Sequence, residues 1–189
     1  MGFHVLFDCK FPETVASEQG NMTMGTLPRW TVMWGMAFGI FVVCKWLTWW
    51  RTPRTGCSAW RQLGYLVAWP GLDAVAFLGP LSKAKRPTLG EWSFADVKLV
   101  FGGWLCLVVV ERVPAEHVYW RGWVGMLGIV MVLHFGLFDL LSCAWRSRGV
   151  TAGRLMECPI ASTSVSEFWG RRWNVAFRDL THRFLFRPW

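Results

Sequence analysis

Residues 30–50 read "WTVMWGMAFGIFVVCKWLTWW", and this stretch decides the class of the chain. An α-helix rises 1.5 Å per residue, so about 20 apolar residues cross the roughly 30 Å hydrocarbon core of a bilayer. The stretch is that long and carries a single charge, Lys45. Tryptophans stand at both ends, where the amphipathic indole favours the boundary between hydrocarbon and headgroups. It reads as a transmembrane helix, with Lys45 close enough to one end for its ammonium to snorkel to the surface.

The composition agrees. Of 189 residues, 53% are hydrophobic and 17% charged, against about 25% charged in soluble domains. There are 15 tryptophans and only two tyrosines. The formal net charge of +8 falls between apolar runs, which favours anionic lipid or phosphorylated substrates as partners and argues against nucleic acid. Six cysteines show no CxxC pair; Cys44, Cys106 and Cys143 lie inside apolar runs as small hydrophobes, and neither a disulfide framework nor a metal site is read from them. Residues 1–27 lack the basic start and apolar core of a signal peptide and read as a disordered extension, with Met22 or Met24 as alternative starts.

Three more apolar segments follow, giving an all-α, multi-pass integral membrane protein with transmembrane helices over 28–146. Leu63–Leu81 has the length of a span but carries Pro70-Gly71 and Asp73 at its centre; a straight helix and a broken or re-entrant segment fit alike. Val97–Val113 is a short span, and Val118–Trp145 is long enough to cross with tilt. With four crossings, the excess of Lys and Arg over 82–98 and 146–189 places the N-terminus and the C-terminal tail at the cytoplasmic face, of the cell membrane in a bacterium.

Residues 147–163 read as a linker. Ser164-x-x-Glu167 then fits a capping box opening a helix over 164–189. At 100° per residue, Trp169, Trp173, Ala176, Leu180 and Phe184 share one face and Glu167, Arg171, Asn174, Arg178 and His182 the other, as in a helix lying in the membrane interface. Four further groups carry alternatives. His134 and Asp139, in the fourth apolar run, are relay groups or packed, hydrogen-bonded side chains; about 140° apart on a helix, they do not share a face. Asp73 either caps the second half of a broken helix or contacts substrate. His182 is an interfacial histidine or a site residue. Arg171 and Arg172 meet headgroups or grip phosphate. Periodicity and composition name no reaction.

The block "SVSEFWGRRWN" (164–174) resembles the signature of the wax synthase branch of the membrane-bound O-acyltransferases. "YLVAWPGLDAVAFL" (65–78) and "HFGLFDLLSCAWRSRGV" (134–150) resemble segments of the same branch, so that the likeness covers most of residues 60–189. The resemblance implies acyl transfer from acyl-CoA, a co-substrate, to the hydroxyl of a long-chain alcohol or other lipid acceptor, without a bound cofactor or metal. It implies an orienting role for Asn174 and substrate binding by Arg171, Arg172, Arg178, Trp169 and Trp173. It also implies a histidine base in an apolar helix downstream of the signature. His182 lies too close to Asn174 for that part, so the chain reads as the N-terminal portion of such an enzyme. Little activity is expected of it alone, and the alternative is a catalytically inactive membrane fragment or assembly subunit.

Overall fold

A computed structural model of the chain describes residues 28–53, 56–81, 84–181 and 186. The chain divides into two compact units, Met1–Phe41 and Val42–Trp189. The boundary lies inside the first helix, α1 (Arg29–Trp50). In the described part of the first unit, Trp34 packs on Phe38 one turn further on, at 6.2 Å between ring centres. Met36, Phe38 and Ile40 are all exposed. An apolar helix exposed on every side is matched to lipid rather than to water.

In the second unit, the segment after α1 is broken. α2 (Ala59–Ala68) and α3 (Ala74–Leu78) are separated by five non-helical residues, Trp69 to Asp73. Pro70 is the cause: its ring disfavours helical backbone at the preceding residue, and Trp69 is extended (φ −132°, ψ 118°). Asp73 caps α3, its carboxylate accepting from the Ala76 N–H at 3.1 Å. The break frees carbonyls, and unpaired backbone is costly away from water. Lys45 satisfies them. It is 3% exposed, donates to the carbonyls of Trp69 and Gly71 and lies 3.6 Å from the centre of the Tyr65 ring. The ammonium expected to snorkel instead turns inward, because the broken segment offers it oxygens. Arg61 does the same for the end of α3, donating to the carbonyls of Phe77 (2.6 Å) and Gly79 (2.8 Å).

α4 (Leu89–Arg112) and α5 (Val118–Ser147) complete the apolar set. With α1, three helices among the described residues are long and apolar enough to cross a membrane, of 22, 24 and 30 residues. A fourth such helix is not found among the described residues, and of the two readings of the second apolar segment the broken one holds. The second apolar segment is two short helices, and the parity that grouped the N-terminus with the tail no longer applies. α4 opens on a capping box between Thr88 and Glu91 and takes in residues 89–96, so Lys98 sits well inside a helix rather than at a loop.

α4 and α5 form an antiparallel hairpin. Glu91 meets Arg146, Lys98 meets Asp139, and a Cβ on Gly136 would lie 2.8 Å from the Leu99 Cα, so positions rise along α4 as they fall along α5. Further along, a Cβ on Gly102 would lie 2.7 Å from the Val132 nitrogen and 2.8 Å from the Gly128 oxygen. Backbones come this close only across small residues, the usual device where lipid removes the hydrophobic drive between helices. Each helix contains a π-helical stretch, Leu105–Val109 in α4 and Met131–Leu137 in α5.

The core of this unit sits where α5 ends. A Cβ on Gly64 would lie 2.3 Å from the Trp145 ring, Phe77 meets that ring edge-on at 4.9 Å, and Trp145 Nε1 donates to the Ala68 carbonyl at 3.2 Å. Val150, Ala152, Leu155 and Met156 are buried, so part of the expected linker belongs to the core. The Lys45 end of α1, the broken segment, the start of α4 and the end of α5 thus gather at one end of the hairpin.

Candidate functional site

The C-terminal segment folds against this frame as interrupted helix. Ser164 caps its first turn, α6 (Val165–Glu167), by accepting from the Glu167 N–H at 3.0 Å. The return arm of the box goes one residue earlier than expected: Glu167 accepts from the Thr163 N–H (2.9 Å) and hydroxyl (2.7 Å). These two bonds, with Arg172 beside them, hold the Glu167 carboxyl down to about 2 from 4.5. A π-helical stretch, Phe168–Arg172, follows. The helix then breaks at Trp173 (φ −98°, ψ 122°) and at Asn174, whose φ of 46° is left-handed, before resuming as α7 (Val175–Thr181).

The break corrects the expected continuous amphipathic helix. A π stretch adds a residue to a turn and the reversal at 173–174 resets the phase, so Arg171, Asn174 and Arg178 do not form one stripe. Asparagine is among the few non-glycine residues that tolerate left-handed backbone, which gives Asn174 a structural role of its own. Backbone bonds tie the break to the preceding loop: Glu157 N–H to the Arg172 carbonyl (2.9 Å) and Val175 N–H to the Leu155 carbonyl (3.2 Å).

Trp173 is the hinge of the site. Its ring stacks with Phe168 (5.4 Å, 15°) and with His134 of α5 (5.7 Å, 23°), and meets Phe135 at 6.3 Å. His134 lies in the π-helical stretch of α5, edge-on to Phe138 at 5.3 Å. Its Nδ1 is closed off from solvent and, among the described residues, has no hydrogen-bond partner. The structure thus brings His134 to the signature and keeps Asp139 elsewhere, ion-paired with Lys98.

The other expected residues divide. Arg172 binds Glu167 (2.7 Å) and the carbonyls of Glu157 and Cys158, so its guanidinium is engaged within the segment. Arg171 is exposed, and among the described residues its guanidinium has no ion-pair or hydrogen-bond partner. Trp169, 62% exposed, and Arg178, which donates to the Gly170 carbonyl at 3.4 Å, line an open groove of ≈ 630 Å³ with Val165, Ser166, Gly170, Phe177 and Thr181. Asp73 caps α3, as the simpler of its two readings has it, and His182 lies outside the described residues.

Sequence reasoning passed over Lys45, Arg61 and Glu91 as structural groups. The signal for Glu91 was present in "TLGE" (88–91), a capping-box pattern. Arg146 and Arg154 both reach that carboxylate, at 2.9 and 3.2 Å. No family model, no curated protein and no solved structure matches the chain.

Proposed function

We propose that the chain is part of a membrane-bound O-acyltransferase of the wax synthase type, and that residues 164–181 form the part that receives acyl-CoA. The observation that carries this reading is the groove beside the signature. It has apolar walls (Trp169, Val165, Phe177) for an acyl chain, and Arg178 lies within it while the unengaged Arg171 stands on the adjoining stretch. Arginine suits phosphate because its planar donors bind two oxygens at once. Asn174 directly follows Trp173, whose ring stacks on His134, and its amide is assigned the orienting of a reacting group. Removing water from such a site favours transfer to an alcohol over hydrolysis.

The orientation belongs to the same proposal. Lys85, Arg146 and Arg154 lie at the end of the hairpin where the core sits, Arg86 and Arg148 adjoin them in sequence, and the opposite turn, 113–117, carries no Lys or Arg of its own, with only Arg112 and Arg121 flanking it. By the positive-inside tendency this end faces the cytoplasm, which is where acyl-CoA is available.

The test uses the purified full chain in lipid nanodiscs with radiolabelled acyl-CoA and a long-chain alcohol. Acyl-CoA binding is expected to weaken in Arg171→Ala and Arg178→Ala, with the loss shrinking as salt screens the phosphates. In an enzyme that turns over, Asn174→Ala is expected to slow ester formation by about 10²–10³, the usual effect of losing one oriented donor. A chain that neither binds acyl-CoA nor forms ester refutes the reading and leaves a non-catalytic membrane protein.

A further inference from the structure

We infer that the end of the hairpin where α4 begins and α5 finishes holds the phosphate of an anionic phospholipid, gripped by Lys85, Arg86 and Arg148. Two contacts lay the chain before α4 against the end of α5. Arg146 Nε donates to the Lys85 carbonyl at 3.0 Å, and a Cβ on Gly149 would lie 2.8 Å from the Leu81 carbonyl oxygen. Lys85, Arg86, Arg146, Arg148 and Arg154 thus gather around a single carboxylate. Glu91 takes both Arg146 (2.9 Å) and Arg154 (3.2 Å), so among the described residues Lys85, Arg86 and Arg148 have no carboxylate to answer them. All three are exposed. Arg148 is also held in place: one of its N–H groups donates to the Ala144 carbonyl at 2.9 Å, and its guanidinium lies 6.0 Å from the centre of the Trp145 ring. A guanidinium already oriented loses less freedom on gripping two phosphate oxygens, and its other donors are open for them.

Position and charge select the ligand. The two apolar helices terminate here, α4 starting at Leu89 and α5 ending at Ser147, so the cations stand where hydrocarbon gives way to headgroups. Trp60 marks the same level: it is 58% exposed and its ring lies 5.3 Å from that of Trp145, and an exposed indole favours that boundary. A phosphate met at this depth belongs to a lipid. A zwitterionic lipid brings an ammonium of its own, which the three unanswered cations repel. A lipid whose only charge is its phosphate, such as phosphatidylglycerol, meets no such opposition.

Nothing in this site requires acyl transfer, and the test needs no turnover. The full chain is placed in nanodiscs of equal phosphatidylcholine and phosphatidylglycerol and released into mild detergent, and the lipid that stays bound is counted by native mass spectrometry. Phosphatidylglycerol is expected to be enriched over phosphatidylcholine. A Lys or Arg near the surface is worth about fivefold in attraction to an anionic lipid. Arg148→Gln should therefore lower the enrichment about fivefold, and Lys85→Gln/Arg86→Gln about 25-fold. Arg148→Lys, which keeps the charge and loses the fork, should fall between Arg148→Gln and the unaltered chain. Arg112→Gln/Arg121→Gln removes two charges at the opposite turn and should leave the enrichment as it was. An absence of enrichment overturns the inference, and so does an equal loss from the two double variants, which would mean a diffuse attraction of charge to the membrane. Displacement of the bound lipid by millimolar glycerol 3-phosphate would also overturn it, in favour of a soluble phosphate.

Discussion

Gly102 and Gly103 are adjacent in α4, and their alanine variants are expected to move stability in opposite directions. A Cβ on Gly102 would meet the Val132 nitrogen at 2.7 Å, the Gly128 oxygen at 2.8 Å and the Met131 Cβ at 2.9 Å, two of them backbone atoms that cannot rotate away. Carbon needs well over 3 Å from such atoms, so α4 and α5 must separate by about half an ångström where they cross. Overpacking of this kind costs about 1–3 kcal/mol, against which alanine recovers about 0.5–1 kcal/mol of helix preference. The net expectation for Gly102→Ala is a loss of about 1–2 kcal/mol. A Cβ on Gly103 would meet nothing within 4 Å. Gly103→Ala should therefore keep only the helix-preference term and gain about 0.5–1 kcal/mol. Reversible unfolding by SDS in mixed micelles, followed by far-ultraviolet circular dichroism, separates the two. If both variants shift the midpoint in the same direction, the close crossing of α4 on α5 is refuted.

Lys45→Met should destabilise the chain by about 1–3 kcal/mol in the same assay, since the carbonyls of Trp69 and Gly71 lose a charged donor; an unchanged midpoint would mean that the break is satisfied without it. Asp139→Asn should cost about 3–5 kcal/mol by leaving the Lys98 ammonium unpaired, while the double variant Lys98→Met/Asp139→Leu should recover most of that loss, because a buried pair is often no better than apolar packing. For Glu167 the folded carboxyl sits at about 2, below its ordinary 4.5, so its contribution is present above pH 4.5 and fades as pH falls towards 2. Hydrogen exchange over residues 163–173, corrected for intrinsic rates, should lose protection across that window, and Glu167→Gln should be less protected and flat.

The apolar helices were legible because length and hydrophobicity alone decide them: α1 begins within one residue of the expected Trp30 and ends at Trp50. Pro70-Gly71 marked the broken segment as one of two open readings. What could not be read is how the polar groups settle. Lys45 and Lys98 looked like groups seeking the surface, and each instead has a partner more than 20 residues away in sequence. The signature helix failed for a different reason. A helical wheel assumes constant phase, and the π stretch at Phe168–Arg172 with the left-handed turn at Asn174 breaks it. Nothing in the residue pattern announces a π stretch, since it reflects how the helix packs rather than which residues compose it.

The inward turn of Lys45 also sets an order of events during synthesis. Its carbonyl partners lie 24 and 26 residues later in the chain, so they leave the ribosome after Lys45 does and reach the membrane later than α1. Until then the ammonium has only the headgroup layer to answer it, and α1 must ride at a depth that lets the side chain reach that layer. Arrival of the Pro70-Gly71 break exchanges lipid headgroups for protein oxygens and lets the helix settle. The broken segment thus acts on the nascent chain as a latch, and a nascent chain stalled with α1 in the bilayer but residues 69–71 still inside the ribosome would carry α1 in a shallower, more readily extracted position than the finished protein does.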